Sequence, residues 1–234
     1  MRILTLISRL QGVILEAMRK CMEAYAVLSY SQEGEDMLLR RIFENQPRGF
    51  YVEVGAPHPT RFSNSFYFYK LGWSGINIEA TPGAMSLFRI LRPRDTNLEA
   101  AVSRERGTQE FFLFDEPALN TFDRKLAREW ECSGYRIIGT KQLMTRPLGE
   151  ILSDHVPEGK RIDFLSIDVE GMDFDVLQSN DWQRYRPRVL LVEMHGVRLD
   201  EASESEMYCY LKELGYELYA KCILTFLFKD RLQS

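Results

Sequence analysis

No two of the four cysteines stand at CxxC spacing. Cys21, Cys132, Cys209 and Cys222 are scattered along 234 residues, which argues against a structural zinc site or a disulfide framework and predicts four reduced thiols, as in the cytoplasm. No stretch of about 20 residues is free of charge, so no segment has the make-up of a membrane-spanning helix. The first apolar run is broken at Arg9 and lacks the small-residue cleavage site of a secretory signal. Lys/Arg runs with interleaved aromatics are missing, and the formal charge is −4; both argue against a nucleic-acid partner, since phosphate neutralisation needs clustered cations. There is no internal repeat, no low-complexity tract and no GxGxxG. Histidine is scarce. Of the three, His155 and His58 read as structural, leaving His195 as the one imidazole with a chemical context.

What is present is ordinary globular material, 45% apolar and 27% charged, enough for one large domain. Residues 1–28 read as one helix. Arg2, Arg9, Glu16, Lys20 and Glu23 share a narrow face, and Leu6, Leu10, Val13, Ala17, Cys21, Ala24 and Leu28 form the opposite stripe. So wide an apolar surface predicts a partner: the chain's own core, a second copy, or peripheral contact with a membrane. The mixed charges disfavour the membrane. The expected intermolecular outcome is a homodimer through Leu6, Leu10, Val13 and Ala17.

From Ser31, where Glu33, Glu35 and Asp36 crowd the first turn of a helix, strand and helix patterns alternate. Strands are predicted at 50–54, 75–79, 97–102, 162–168 and 189–193, with helices at 61–71, 84–91, 148–153, 174–179 and 204–214. A hairpin, 216–220 and 224–228, closes the chain. The alternation predicts an α/β, Rossmann-like fold: a mostly parallel sheet with helices on both faces and an antiparallel C-terminal edge strand. Residues 108–147 break the rhythm, with short strands near 110–114 and 135–138 around a polar helix at 123–131. They read as an insertion or cap within a single domain, 29–234.

In such a sheet, ligands bind beyond the carboxyl ends of the strands. The first strand ends Glu53-Val54-Gly55-Ala56, where glycine permits a sharp turn and a close approach to a ligand. The second ends at Glu79, where this fold places an acid on the ribose hydroxyls of an adenosine ligand, about 20 residues past the turn. The fourth runs from apolar residues into Asp168 and, two residues on, Glu170. The fifth ends at Glu193, followed at the same spacing by His195. If these strands are neighbours, the four side chains share one rim. There, mutual repulsion raises carboxylate pKa values and His195 is placed to act as a base.

The blocks SYSQEGEDMLL (29–39), GFYVEVGAPHPTRFSNSFYFY (49–69), GWSGINIEATP (72–82), IDFLSIDVEGMDFDVLQ (162–178) and RPRVLLVE (186–193) resemble the FkbM-type methyltransferases. These are S-adenosylmethionine-dependent O-methyltransferases of the class I methyltransferase fold. The resemblance covers residues 29–229 and several blocks in order. It implies that Glu53, Gly55 and Ala56 form the cofactor turn and that Glu79 with Ala80 meets the ribose. Gln32, Asn64, Ala101 and Asp168 are implied as further cofactor contacts. Relatives often carry Asp where Glu53 stands, a change that keeps the charge and lengthens the reach. Family acceptors include sugars of glycolipids and polysaccharides and hydroxyls on polyketides.

Methyl transfer from a sulfonium to a hydroxyl requires in-line positioning and removal of a proton. The expected catalytic set is therefore Asp168, Glu170, Glu193 and His195, acting without a metal. Mg²⁺ held by Asp168 and Glu193 is the alternative, because Mg²⁺ prefers oxygen ligands. Two other functions remain open on the sequence: a dinucleotide-dependent oxidoreductase and a non-catalytic scaffold in a glycan-assembly complex. The acceptor is expected to be a small molecule or glycan, with Asn120, Trp130 and Tyr135 of the cap beside it. Phe66, Tyr67, Phe68, Tyr69 and Trp73 read as core rather than as a sugar-stacking surface.

Overall fold

The computed structural model describes residues 12–16, 18, 21 and 26–232. Residues 12–16, 18 and 21 are helical and exposed, whereas 26–30 are not helical, so the first helix ends short of Leu28. Leu6, Leu10 and Ala17 of the expected dimer contact lie outside the described residues. Val13 is 66% exposed. No helix among the described residues is long and apolar enough to cross a membrane.

Ten strands follow: β1 (Phe50–Val54), β2 (Ser74–Glu79), β3 (Thr96–Glu99), β4 (Ala101–Val102), β5 (Gly107–Phe114), β6 (Ile137–Arg146), β7 (Phe164–Ile167), β8 (Val189–Glu193), β9 (Tyr216–Lys221) and β10 (Thr225–Asp230). Seven form one sheet in the order β3-β2-β1-β7-β8-β10-β9. β1 pairs in parallel with both β2 and β7, and β7 in parallel with β8. β10 is antiparallel to both β8 and β9. The antiparallel strand therefore lies one position inside the sheet, and β9 holds the edge: the closing hairpin inserts its second strand, not its first, against β8.

The period-two alternation of β1 divides the core. Phe50, Val52 and Val54 face one cluster, which the helices Leu148–His155 (α5), Asp173–Gln178 (α6) and Glu206–Glu213 (α7) help to cover. Tyr51 faces a second cluster with Phe68, Trp73 and Phe164, under the helices Glu35–Ile42 (α1) and Phe66–Lys70 (α2). Phe68, Tyr69 and Trp73 are thus core, as their spacing suggests. Helix Met85–Leu91 (α3) joins β2 to β3.

The predicted third strand is broken at Ala100, whose N–H donates to the Glu79 carbonyl oxygen at 2.9 Å. There the chain leaves the main sheet for a second one, ordered β4-β6-β5. β5 and β6 form a long antiparallel hairpin, and between them lie the short turn Pro117–Leu119 and helix Arg124–Cys132 (α4). This unit occupies the stretch read as an insertion. Its strands run longer than their apolar cores suggest, because β6 alternates exposed and half-buried positions.

Candidate active site

Strand order reverses between β1 and β7: β2 and β3 lie to one side and β8 to the other. A cleft at the carboxyl edge is expected at such a point. A cavity opens there, lined at the ends of the strands by Gly55, Glu79, Ala80, Ala100 and Asp168, together with Glu170. The opposite wall comes from elsewhere: Gln32, Pro57 and Phe62 before α2, and Phe111, Pro117, Ala118, Asn120 and Phe122 of the second sheet and its turn.

The glycine turn is obligatory. Gly55 has φ +79°, and a Cβ there would sit 1.6 Å from the carbonyl oxygen of Asp168. Its N–H, with that of Ala56, donates to the Ile78 carbonyl oxygen. Glu79 is 7% exposed and accepts the Thr81 N–H at 2.8 Å. Burial raises its pKa, and the Thr81 contacts oppose the rise.

Past β7 the chain turns sharply instead of continuing extended. Glu170 has φ +50°, and Phe62 is the other non-glycine residue with positive φ among the described residues. Both line the cavity. Bulky residues occupy this backbone region only when their surroundings over-determine it. For Glu170, the Asp173 carboxylate accepts the N–H groups of Val169 and Gly171 at 3.2 Å each, and the Glu170 carbonyl oxygen accepts the Thr121 hydroxyl at 2.7 Å. The turn brings Asp168, Glu170 and Glu193 together, each offering one oxygen within 4.8 Å of the others. His195 Nε2 lies 2.9 Å from Glu193 Oε2.

Crowded acids hold protons. Asp168 is raised well above the usual carboxylate range, first by burial and then by Glu193, Glu170, Asp173 and Glu35. Burial and Glu193 push Glu170 up to about 8 and Asp173 to about 7. The hydrogen bond to Glu193 raises His195 to about 9, so at neutral pH it is an imidazolium.

Residues 53–218 match the family described as Methyltransferase FkbM domain. The chain belongs to the FkbM methyltransferase family. It is an S-adenosylmethionine-dependent methyltransferase, and the oxidoreductase and scaffold readings give way to that. No curated protein matches it. Among solved structures, it is similar to a TehB-like SAM-dependent methyltransferase from Corynebacterium glutamicum (13% identity over 94% of this chain and 99% of that one, TM-score 0.43). It is also similar to the glycopeptide N-methyltransferase MtfA complexed with sinefungin (12% identity, 88% of each chain, TM-score 0.37).

Of the residues expected at the site, Gly55, Glu79, Ala80, Asp168 and Glu170 of this FkbM domain line the cavity, and Gln32, which precedes the matched residues, does so too. Glu53, Ala56, Asn64 and Ala101 do not. Glu53 shares the face of Tyr51, and its carboxylate accepts the Asn64 N–H (2.7 Å) and the hydroxyls of Ser63 and Ser65, beside the buried Arg92. It holds the loop that caps α2, which is why that helix starts at Phe66 and not at Arg61. Asn64 donates to the Ser166 hydroxyl at 2.9 Å. Ala56 packs on Met85 and Phe88. Ala101 points away while its neighbours Ala100 and Val102 face the cavity, the alternation of an extended chain. Glu193 and His195 are not part of the lining.

Of the cap residues expected near the acceptor, Asn120 lines the cavity, whereas Trp130 and Tyr135 pack edge-on against each other at 6.1 Å. The aromatic wall comes from Phe62, Phe111 and Phe122, and Asp173 completes the acidic cluster. Sequence reasoning missed all four. Asp173 had a visible signal, an acid three residues past Glu170 at a helix start.

Proposed function

We propose that the protein transfers the methyl group of S-adenosylmethionine to a hydroxyl of a sugar in a glycan or glycolipid. The observation that carries this reading is Asp168, which lines the cavity and belongs to the carboxylate cluster, so one wall offers both a cofactor surface and a proton acceptor. The cofactor lies across Gly55, with its ribose hydroxyls on Glu79 and its base near Ala80, Ala100 and Val102. The acceptor oxygen approaches from the side of Asp168 and Glu170. As the O–CH₃ bond forms in line and the S–CH₃ bond breaks, the hydroxyl proton passes to the carboxylate and S-adenosylhomocysteine leaves neutral at sulfur. Glu193, paired with His195, orients Asp168 and keeps it basic by repulsion. The sugar part of the reading rests on the family resemblance.

The donor set also fits a hard divalent cation: Asp168, Glu170 and Glu193 would hold Mg²⁺ through oxygens, and the ion would supply Lewis-acid activation of the hydroxyl. The metal-free route is preferred: it needs one carboxylate of the cluster in its ionised form, and a carboxylate whose pKa is raised is the stronger base once ionised. The expected result for Asp168→Asn is S-adenosylhomocysteine affinity within a few-fold of wild type, with turnover on a cell-envelope extract lower by about 100-fold or more. Undiminished turnover would move the proton acceptor elsewhere.

A further inference from the structure

One ion pair joins the two walls of the cavity that do not belong to the main sheet. Arg61 stands next to Phe62, and Glu116 next to Pro117; Phe62 and Pro117 both line the cavity. On the solvent side of these walls the Arg61 guanidinium forks onto the Glu116 carboxylate, Nη1 to Oε1 at 3.3 Å and Nη2 to Oε2 at 2.9 Å. The same guanidinium lies 4.2 Å from the centroid of the Phe62 ring. Each side of the bridge is built. His58 Nδ1 accepts the N–H groups of Thr60 and Arg61 at 3.2 and 3.0 Å, which fixes the loop that presents Arg61. Glu116 Oε1 accepts the Ala118 N–H at 3.3 Å and so caps the turn it precedes. Phe62 holds a left-handed backbone conformation, which needs support from its surroundings. The side chain stacked on its ring is the one that reaches the cap.

We infer that Arg61 is a positioning residue of the methyltransferase: through Phe62 and Glu116 it clasps the loop before α2 to the cap, and the strength of that clasp sets how fast the cofactor product leaves the cavity. An exposed pair, its two side chains 52% and 32% accessible, is weak and screened by salt. That suits a contact that must part in every catalytic cycle, and product release limits turnover in many enzymes. A bidentate fork is specific to arginine, so lysine holds such a contact less well.

The test uses the full chain and S-adenosylhomocysteine, with release followed by surface plasmon resonance. Arg61→Met and Glu116→Gln are expected to speed release about twofold to fivefold, the range such a pair supports, with Arg61→Lys in between and melting temperatures lower by no more than about 4 °C. Raising salt from about 50 mM to about 0.5 M should speed release from the wild type and leave Arg61→Met unaffected. Release that is the same in wild type and Arg61→Met, or equally salt-dependent in both, overturns the clasp while leaving the cofactor site in place. A wild type that fails to bind S-adenosylhomocysteine overturns the assignment of the cavity and the clasp with it.

Discussion

The Asp168 carbonyl oxygen lies where a side chain at residue 55 would have to begin, 1.6 Å from a Cβ built on Gly55. That contact fixes the distance between the ends of β1 and β7, and with it the floor of the cavity. Gly55→Ala must push the two strand ends apart and adopt a positive φ. The expected cost is about 1–3 kcal/mol of stability, with loss of S-adenosylhomocysteine binding. A variant that melts and binds like wild type in calorimetry would show that the floor is not built as described.

Glu79 closes the second strand with a buried carboxylate facing the same space. Replacing it by alanine is expected to weaken cofactor binding by about 1–3 kcal/mol, the consequence of leaving hydroxyl partners unpaired. Unchanged affinity in isothermal titration would take the ribose contact away from Glu79.

The gathering of acids makes stability depend on pH in one direction. Glu170, Asp173 and His195 are all raised, to about 8, 7 and 9, so the folded chain binds their protons more tightly than the unfolded one. Such stability is complete below the unfolded values, about 4 for the carboxylates and 6.5 for the imidazole, and is lost as pH rises through the folded ones. Asp115, Glu116, Asp154 and Asp200 are lowered by arginine partners and backbone N–H groups, so they act oppositely and lose their contribution below about pH 4. The melting temperature should peak near pH 5 and fall by about 5–10 °C toward pH 9, a few kcal/mol at this chain length. A flat or rising profile over that window would contradict the described cluster. Mg²⁺ at pH 9 should leave the melt unchanged on the metal-free reading, and recovery of the lost stability would favour the metal.

Much of this arrangement was legible beforehand. Strand β1 has the bounds that its apolar run predicts, and Gly55, Glu79 and Asp168 line the cavity where one rule puts them, that ligands meet the carboxyl ends of strands. The misplacements share a cause. Glu53, Asn64 and Ala101 lie in segments that match the family, but whether a side chain faces the cavity or the helices depends on strand parity and on the loop behind it. Glu170 reached the rim by a left-handed turn and not by the extended spacing that suggested it. The aromatic wall was invisible because Phe62, Phe111 and Phe122 converge from a loop and a hairpin that no local pattern joins.

The first helix remains a proposal about assembly. Val13, Ile14, Leu15 and Met18 are all at least half exposed, which suits a contact with a second copy better than packing on the chain's own core. A chain beginning at Ser29 is expected to scatter light as a monomer and the full chain as a dimer. Equal masses would assign the helix another partner.

The destination of the methyl group tests the central claim most directly. Incubating the enzyme with ¹³C-methyl S-adenosylmethionine and a cell-envelope glycan extract should place the label in an O-methyl sugar resonance, and the Asp168→Asn enzyme should leave it on the cofactor. Label recovered on nitrogen, or transferred equally well by the variant, would contradict the account.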